Sequence, residues 1–431
     1  MNTKHRQNLI RPNSAHNHGF TVIELLIVMG IIVIVAAVTL PTLKGLLSGR
    51  KIAEASNLVS SFAASAKSRA ISTGRPVALI IERARYDDAG GLALNNVATR
   101  LSIGEVFPAY SGDWEGATGT LQDLVAIDAW EAGRFDAIDI PLAQAATLVD
   151  LNSNPPISNN MVQPGDLIEI GGSREKFFIA APNSSTPAVE VVPNGASSIV
   201  RIHFNNPSET TSGTPLQEGA LTAADAGPNL QRTFRIYRRP SKSLAGGISL
   251  PRGTCIDLHF SGCGQTGRHF SSDAIQPIGD SNPYPHAGFS NYGPIYLVFS
   301  PDGQVSSWFV QNRPFDYASP TLQRGYPTGL IHLLVGGVDQ VVETTRAIPN
   351  LDQDSAIQTA LTVSEEYTSN LMDTENNWVT INPYTGSITT SSMGGVQTPI
   401  PTAPGVADLV NRLRESRALA SSSLTLPNQG E

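Results

Sequence analysis

The feature that most constrains this chain is an apolar run near its start. Phe20 to Leu40 is a stretch of 21 residues in which Glu24 is the single charge. At about 1.5 Å of rise per residue such a run makes a helix roughly 30 Å long, the thickness of a bilayer's hydrocarbon core. Before it come Lys4, Arg6 and Arg11, with no acid in residues 1–19. A short basic flank stays on the cytoplasmic side, so the sequence predicts export of everything after Leu40. A carboxylate inside such a helix costs about 2.5–3.5 kcal/mol on insertion scales, so Glu24 calls for a partner. Cleavage after Gly19 would free an α-amino group on Phe20, one helical turn from Glu24. That amine could neutralise the carboxylate of its own chain or of a neighbouring copy. An ordinary secretory signal fits less well, because its cleavage site follows the apolar run. Here Leu40-Pro41-Thr42-Leu43-Lys44 continues into more helix.

Gly19-Phe20-Thr21-Val22-Ile23-Glu24 leading into an apolar helix resembles the type III signal of type IV pilins and type II secretion pseudopilins. The resemblance implies that a prepilin peptidase cuts between Gly19 and Phe20 and that the new Phe20 amine is N-methylated. It also implies that Glu24, the fifth residue after the cut, serves assembly with other pseudopilins or pilins. Pro41 matches the place where helices of this family carry a bending proline.

After Pro41 the helical pattern resumes. Ile52, Ala55, Val59, Phe62, Ala66 and Ala70 recur every three or four residues, with Lys51, Glu54, Lys67 and Arg69 off the stripe. Gly74 and Pro76 stop the helix, and Pro76–Glu82 reads as a strand. The stretch from Ala66 to Val77 resembles the helix-to-strand junction of H-type minor pseudopilins. The hairpin signal Ile295–Phe299, Ser300-Pro301-Asp302-Gly303-Gln304, Val305–Val310 and the closing pair Trp378–Ile381 and Gly386–Thr389 resemble that group as well. Between them residues 85–230 read as an insertion. It begins with an acidic stretch (Asp113, Glu115, Asp123, Asp128, Glu131, Asp136, Asp139) that lacks an Asp-x-Asp-x-Asp-Gly calcium loop. A β-meander follows over 163–204, then a Thr-, Gly- and Pro-rich linker.

The sequence thus predicts an α+β fold: a long N-terminal helix, membrane-spanning in its first half, packed on a mainly antiparallel, pilin-like β domain with a β-rich insertion. The expected divisions are a leader at 1–19, a transmembrane helix at 20–43 and an amphipathic helix with the first strand at 44–84. The insertion follows at 85–230, the remaining β domain at 231–390 and a flexible tail at 391–431 with one short helix near Val406–Leu419. Gly 38 and Pro 30, with 15% charged and 6% aromatic residues, agree with a turn-rich exported chain.

Chemistry is sparse. There is no His-Glu-x-x-His, Gly-x-Ser-x-Gly or Gly-rich phosphate loop, and Ser173-Arg174-Glu175-Lys176 lacks the companions of a Ser-x-x-Lys enzyme. The expectation is a structural protein, not an enzyme, with no cofactor and no metal. Cys255 and Cys263 are the two cysteines, and in an exported domain a local disulfide is their simplest reading. A metal site would have to recruit His259 and His269. Arg235, Arg238, Arg239 and Lys242, with Phe234 and Tyr237 interleaved, could bind single-stranded DNA through phosphates and stacking. The alternative is a strand whose arginines face acids or another subunit. The net charge of −8 argues against nucleic acid in general without settling this cluster. The resemblance implies a minor pseudopilin of a type II secretion system, with a type IV pilus minor pilin or a pilin-like DNA-binding or adhesive receptor as the alternative. Its implied partners are prepilin peptidase, other pseudopilins or pilins, an inner-membrane assembly platform and membrane lipid. The subunit would sit in the inner membrane with its N-terminus cytoplasmic and its C-terminal domain periplasmic.

Overall fold

The computed structural model describes residues 22–84, 94, 96–123, 134–153, 156–159, 161–171, 176–180, 186–194, 197–206, 230–244, 246–271, 293–312, 321–341, 361, 368–393 and 404–422. It is an α+β protein whose strand pairings are antiparallel throughout. The chain divides into two units, Met1–Arg50 and Lys51–Glu431.

Helix α1 spans Val22–Thr73. Its side chains are described at 22–35 and from 49 onward. In the first unit the described apolar side chains, Val22 (83% exposed) through Val35 (54%), lie on every side of the helix and are open. In the second unit most of the stripe read from the sequence is buried: Ile52, Ala55, Val59, Ala66 and Ala70 are at most 2% exposed and Phe62 is half-buried, with Ala63 joining the buried side, while Lys51 and Glu54 face out. The small residues let the helix lie close to the sheet beneath it. Gly74, at φ 62°, ends the helix in the left-handed conformation that glycine adopts without a Cβ clash.

After the helix come β1 (Val77–Arg83), β2 (Val97–Glu105), β3 (Thr118–Asp123), β4 (Arg134–Pro141), β5 (Val149–Asp150) and β6 (Ile157–Ser158). They are followed by β7 (Leu167–Ile170), β8 (Lys176–Ile179), β9 (Val189–Asn194), β10 (Ser197–Asn206), β11 (Gln231–Tyr237), β12 (Ser241–Lys242) and β13 (Ile248–Ser249). The last strands are β14 (Thr254–Cys263), β15 (Ile295–Phe299), β16 (Val305–Asn312), β17 (Thr321–Gly325), β18 (Ile331–Gly337), β19 (Asn377–Ile381) and β20 (Ile388–Ser392), and helix α2 (Val406–Ser422) follows them.

Among the described residues the large sheet has 11 strands, ordered β17-β16-β15-β1-β2-β14-β18-β19-β20, with β12 and β13 also on β2. Strand alternation sorts its two faces. Val77, Leu79 and Ile81 of β1 join the α1 stripe in one core, while Ala78 and Ile80 join Val298 and Phe309 on the opposite side. The hairpin turns at Gly303 and Gly386 abut, and a Cβ on Gly386 would lie 1.9 Å from the Gly303 carbonyl oxygen. Lys67 of α1 donates to the Thr385 and Gly386 carbonyls, 3.0 Å each, and fixes the helix to this corner.

The second sheet has 7 strands, ordered β4-β3-β11-β7-β8-β10-β9, and β4 also pairs with β10, so the sheet closes on itself. Its interior is filled by Ile138, Ile140, Ile168, Ile170, Phe177, Ile179, Ile202, Phe204 and Phe234. This barrel leaves the large sheet at the end of β2 and returns beside it, because Ser241 pairs with Glu105 and Lys242 with Gly104. The inserted segment is therefore narrower at its start than the 85–230 read from the sequence and longer at its end. β2 belongs to the large sheet, and β11, assigned above to the remaining β domain at 231–390, belongs to the barrel.

The helix read near Val406–Leu419 is present as α2, and it is not part of a flexible tail but packs into the core. Leu409, Leu413 and Ala420 pack with Phe260, Leu334 and Trp378. A bulge in β14, where the register against β18 shifts between Asp257 and Gly262, turns carbonyls away from the ladder. Arg417, fully buried, donates to the Phe260 carbonyl within this bulge at 2.8 Å and to the Gly264 and Gly267 carbonyls just after β14 at 2.7 and 3.0 Å. Burial pushes its guanidinium down to about 9, which leaves it charged at neutral pH. Removing it would orphan three acceptors in the interior. Arg417→Met is expected to lower stability by about 3–5 kcal/mol, seen as an earlier urea midpoint with an unchanged slope.

His332 is fully buried, 3.1 Å from Thr380 Oγ1. Burial, and then the nearby Arg417, push its imidazole down to about 3. Its folded pKa is thus below its unfolded one, so stability is present above about pH 6.5 and is lost as pH falls toward 3. The expected slope for this one group is about 1.4 kcal/mol per pH unit inside that window. A pH series of urea midpoints should show it, and His332→Gln should flatten it.

Candidate functional site

Gly19 and Phe20 lie outside the described residues. Glu24 falls in the first turn of α1. Around it Ile23, Leu25, Leu26, Ile27 and Val28 are exposed, an apolar surface of the kind that marks a membrane or partner contact. α1 runs through position 41, whose side chain is not among those described. Among the described residues no helix is long and apolar enough to cross a membrane.

The two cysteines are separate free thiols, which corrects the disulfide expectation. Both lie on β14, where Cys255 pairs with Gly336 and Cys263 with Ile331. Five residues of partner strand put them about 17 Å apart, beyond the roughly 7 Å limit between disulfide Cα atoms. Among the described residues no group of three or more His, Cys, Asp or Glu is placed to hold a metal ion. Of the acidic stretch, Asp139 is held by Arg201 through two bonds of 2.7 and 2.8 Å, and Asp113 accepts from Tyr110 and the Thr147 N–H. Asp128 and Glu131 lie outside the described residues, as do Ser173, Arg174 and Glu175 of the Ser-x-x-Lys match. Lys176, its lysine, opens β8 beside Glu169 at 3.8 Å and over the Tyr237 ring at 3.7 Å.

The basic cluster is divided by the fold. On β11 the inward positions are Phe234 and Ile236, and Arg235 points out, opposite Glu169 in register. Tyr237 donates to the same Glu169 at 2.7 Å. Arg235 therefore sits on the barrel wall among acid and aromatic neighbours. Arg238, Arg239 and Lys242 follow the strand and line a cleft of about 460 Å³ at the junction of barrel and large sheet. Lys242 is bonded to Glu82 at 2.6 Å. Burial acts to raise Glu82, but bonds from Lys242 and Ser102 hold its carboxyl below the usual range. Sequence reading missed the other walls of this cleft, Phe107, Asp166 and Tyr296, because no local pattern links a loop, a turn and a strand so far apart.

Residues 14–40 match the family model described as the prokaryotic N-terminal methylation motif. The chain carries a prepilin-type, type IV pilin-like N-terminus. The match spans the Gly19–Phe20 junction and Glu24, the positions that the resemblance singled out, and it supports processing by prepilin peptidase and assembly with other pilins. It ends at Leu40, before the β domain begins. No curated protein and no solved structure matches the chain.

Burial pushes the Cys263 thiol of this prepilin-type chain up to about 12 and the Cys255 thiol well above its ordinary value. Thiols held protonated in a core react slowly. Neither should be labelled by iodoacetamide at pH 8 until denaturant is added, and dithiothreitol should leave the melting temperature unchanged.

Proposed function

We propose that the chain is a minor pseudopilin, a structural subunit of a type II secretion pseudopilus that acts by assembly rather than by catalysis. The observation that carries the reading is the methylation motif over residues 14–40 running directly into α1, whose second half packs on an antiparallel β domain. In this reading the Phe20–Leu40 run holds the precursor in the inner membrane, with residues 1–19 in the cytoplasm and the β domain on the far side. Peptidase cleavage removes the basic leader and exposes the Phe20 amine, which is then methylated. The subunit is drawn from the bilayer into a bundle of neighbouring helices, where the exposed apolar side chains between Val22 and Val35 find partners. A buried carboxylate needs an opposite charge, so Glu24 is set against a Phe20 amine within that bundle. The bulk of the inserted barrel suits a subunit used at one end of the assembly, since a repeated subunit would have to stack it many times. The H-type subgroup is the member of the family that the junction at Ala66–Val77 and the two hairpins fit.

The test is the intact mass of the purified membrane form with a spectrum of its N-terminal peptide. A mature chain beginning at N-methylated Phe20 is the expected result. A chain beginning at Met1 in cells with active peptidase would sink the reading. Glu24→Ala should be cleaved normally yet enter the assembly at less than about a tenth of the native level, the size of loss that a few kcal/mol of unpaired charge implies.

A further inference from the structure

The cleft at the foot of the barrel has a composition that the assembly role does not use. It lies where β11 leaves the barrel and β12 rejoins β2, and its walls come from both sheets: Phe107 from the outgoing connection, Arg238 and Arg239 from the returning one, Tyr296 from β15 and Asp166 from the turn before β7. Two of its charges are already committed. Lys242 is bonded to Glu82, and Asp166, 2% exposed, spends one carboxylate oxygen on the Gln163 N–H and the other on the Arg239 N–H, each at 2.9 Å. Asp166 thereby pins the backbone that carries the arginines.

The two guanidinium groups lie within the field of the Asp166 charge. Arg238 lies over the Phe107 ring at 4.9 Å, and its Nε is buried with no hydrogen-bond partner among the described residues. The Arg239 side chain makes no ion pair among the described residues. The planar fork of a guanidinium matches a carboxylate through two parallel bonds. Arg238 covers one face of the Phe107 ring, which stays 42% exposed, and Tyr296 stands at 89° to Phe309 with ring centroids 6.5 Å apart. The volume holds one or two side chains, not a run of nucleotides.

We propose that this cleft binds an acidic peptide segment of a partner protein, with a side-chain carboxylate seated on Arg238 and Arg239 and an adjoining apolar side chain against Met161 and Tyr296. Because the site stands at the joint between barrel and large sheet, such a segment would bridge the two. The inference is independent of the pseudopilin reading, which concerns the N-terminal helix.

The test is fluorescence anisotropy with the full-length chain in detergent and a labelled, amidated hexapeptide of alternating glutamate and leucine. A glutamine–leucine peptide and a labelled twelve-residue oligothymidylate serve as the comparison probes. The glutamate peptide should bind, more weakly as salt rises, and the glutamine peptide should bind about tenfold less well or worse. The double variant Arg238→Gln, Arg239→Gln should lose about tenfold or more. Ser241→Glu, which adds a competing carboxylate to an exposed wall without removing a native contact, should lose binding likewise. Arg235→Gln, on the barrel wall, should bind as the native chain does. Equal binding of the two peptides, or native binding by both cleft variants with unchanged melting curves, would overturn the proposal. Tighter binding of the oligothymidylate than of the glutamate peptide would overturn it in favour of a nucleic-acid site.

Discussion

Strand β2 is the constraint on which the β architecture turns. Along one edge it pairs with β1 from Glu105 to Ala98. Its other edge is shared by three strands, with β14 at Val97 and Ala98, β13 at Arg100 and Leu101, and β12 at Gly104 and Glu105. A buried backbone group that lacks a partner costs about as much as a lost hydrogen bond, so each piece of that edge has to be covered. The inserted barrel can be large because its two ends meet at this one place. The chain leaves at Glu105 and is paired back to Glu105 by Ser241, so the large sheet is laid down as if the insertion were a long loop.

The two layers on the large sheet are held by different physics. On one face α1 contributes alanines and Val59 at close approach, with Lys67 fastening it to the Gly386 turn. On the other, α2 is held by Trp378, whose indole N–H donates to Ser416 at 2.6 Å, and by Arg417 on carbonyls of the bulge and of the turn after β14. The first is apolar burial, which tolerates small shifts in register. The second is directional, since three carbonyls and one guanidinium must coincide, and it makes the C-terminal helix part of the core.

The site chemistry follows from the barrel's attachment. Arg235, Arg238, Arg239 and Lys242 are one cluster in sequence, yet strand alternation and the end of β11 divide them between a barrel wall and a cleft. Charge counted along the chain therefore overstated the cation available to any one ligand. Glu169 and Glu82, from other strands, absorb part of it.

Some of this was legible in the sequence because it is local. The Gly19–Phe20 junction, Glu24 and the length of the apolar run are contiguous, and the same signal is what the family model matches. The stripe from Ile52 to Ala70 and the stop at Gly74 follow from helix periodicity and from glycine's freedom at positive φ. The Pro301-Asp302-Gly303 turn follows from turn chemistry. What only the tertiary structure decided are partnerships between distant residues. Alternation marks Gln231–Tyr237 as a strand, but an antiparallel ladder with Glu169 and Ile170, rather than with the large sheet, decides where it belongs. Cys255 and Cys263 look like a pair until one strand, bulged between them, still holds them apart. The helix that carries Arg417 is legible, but nothing near Arg417 in sequence reveals the Gly264 and Gly267 carbonyls, about 150 residues earlier, to which it donates. Periodicity encodes which face of an element is buried; which element buries it is set by the pairing of backbone groups across the whole chain.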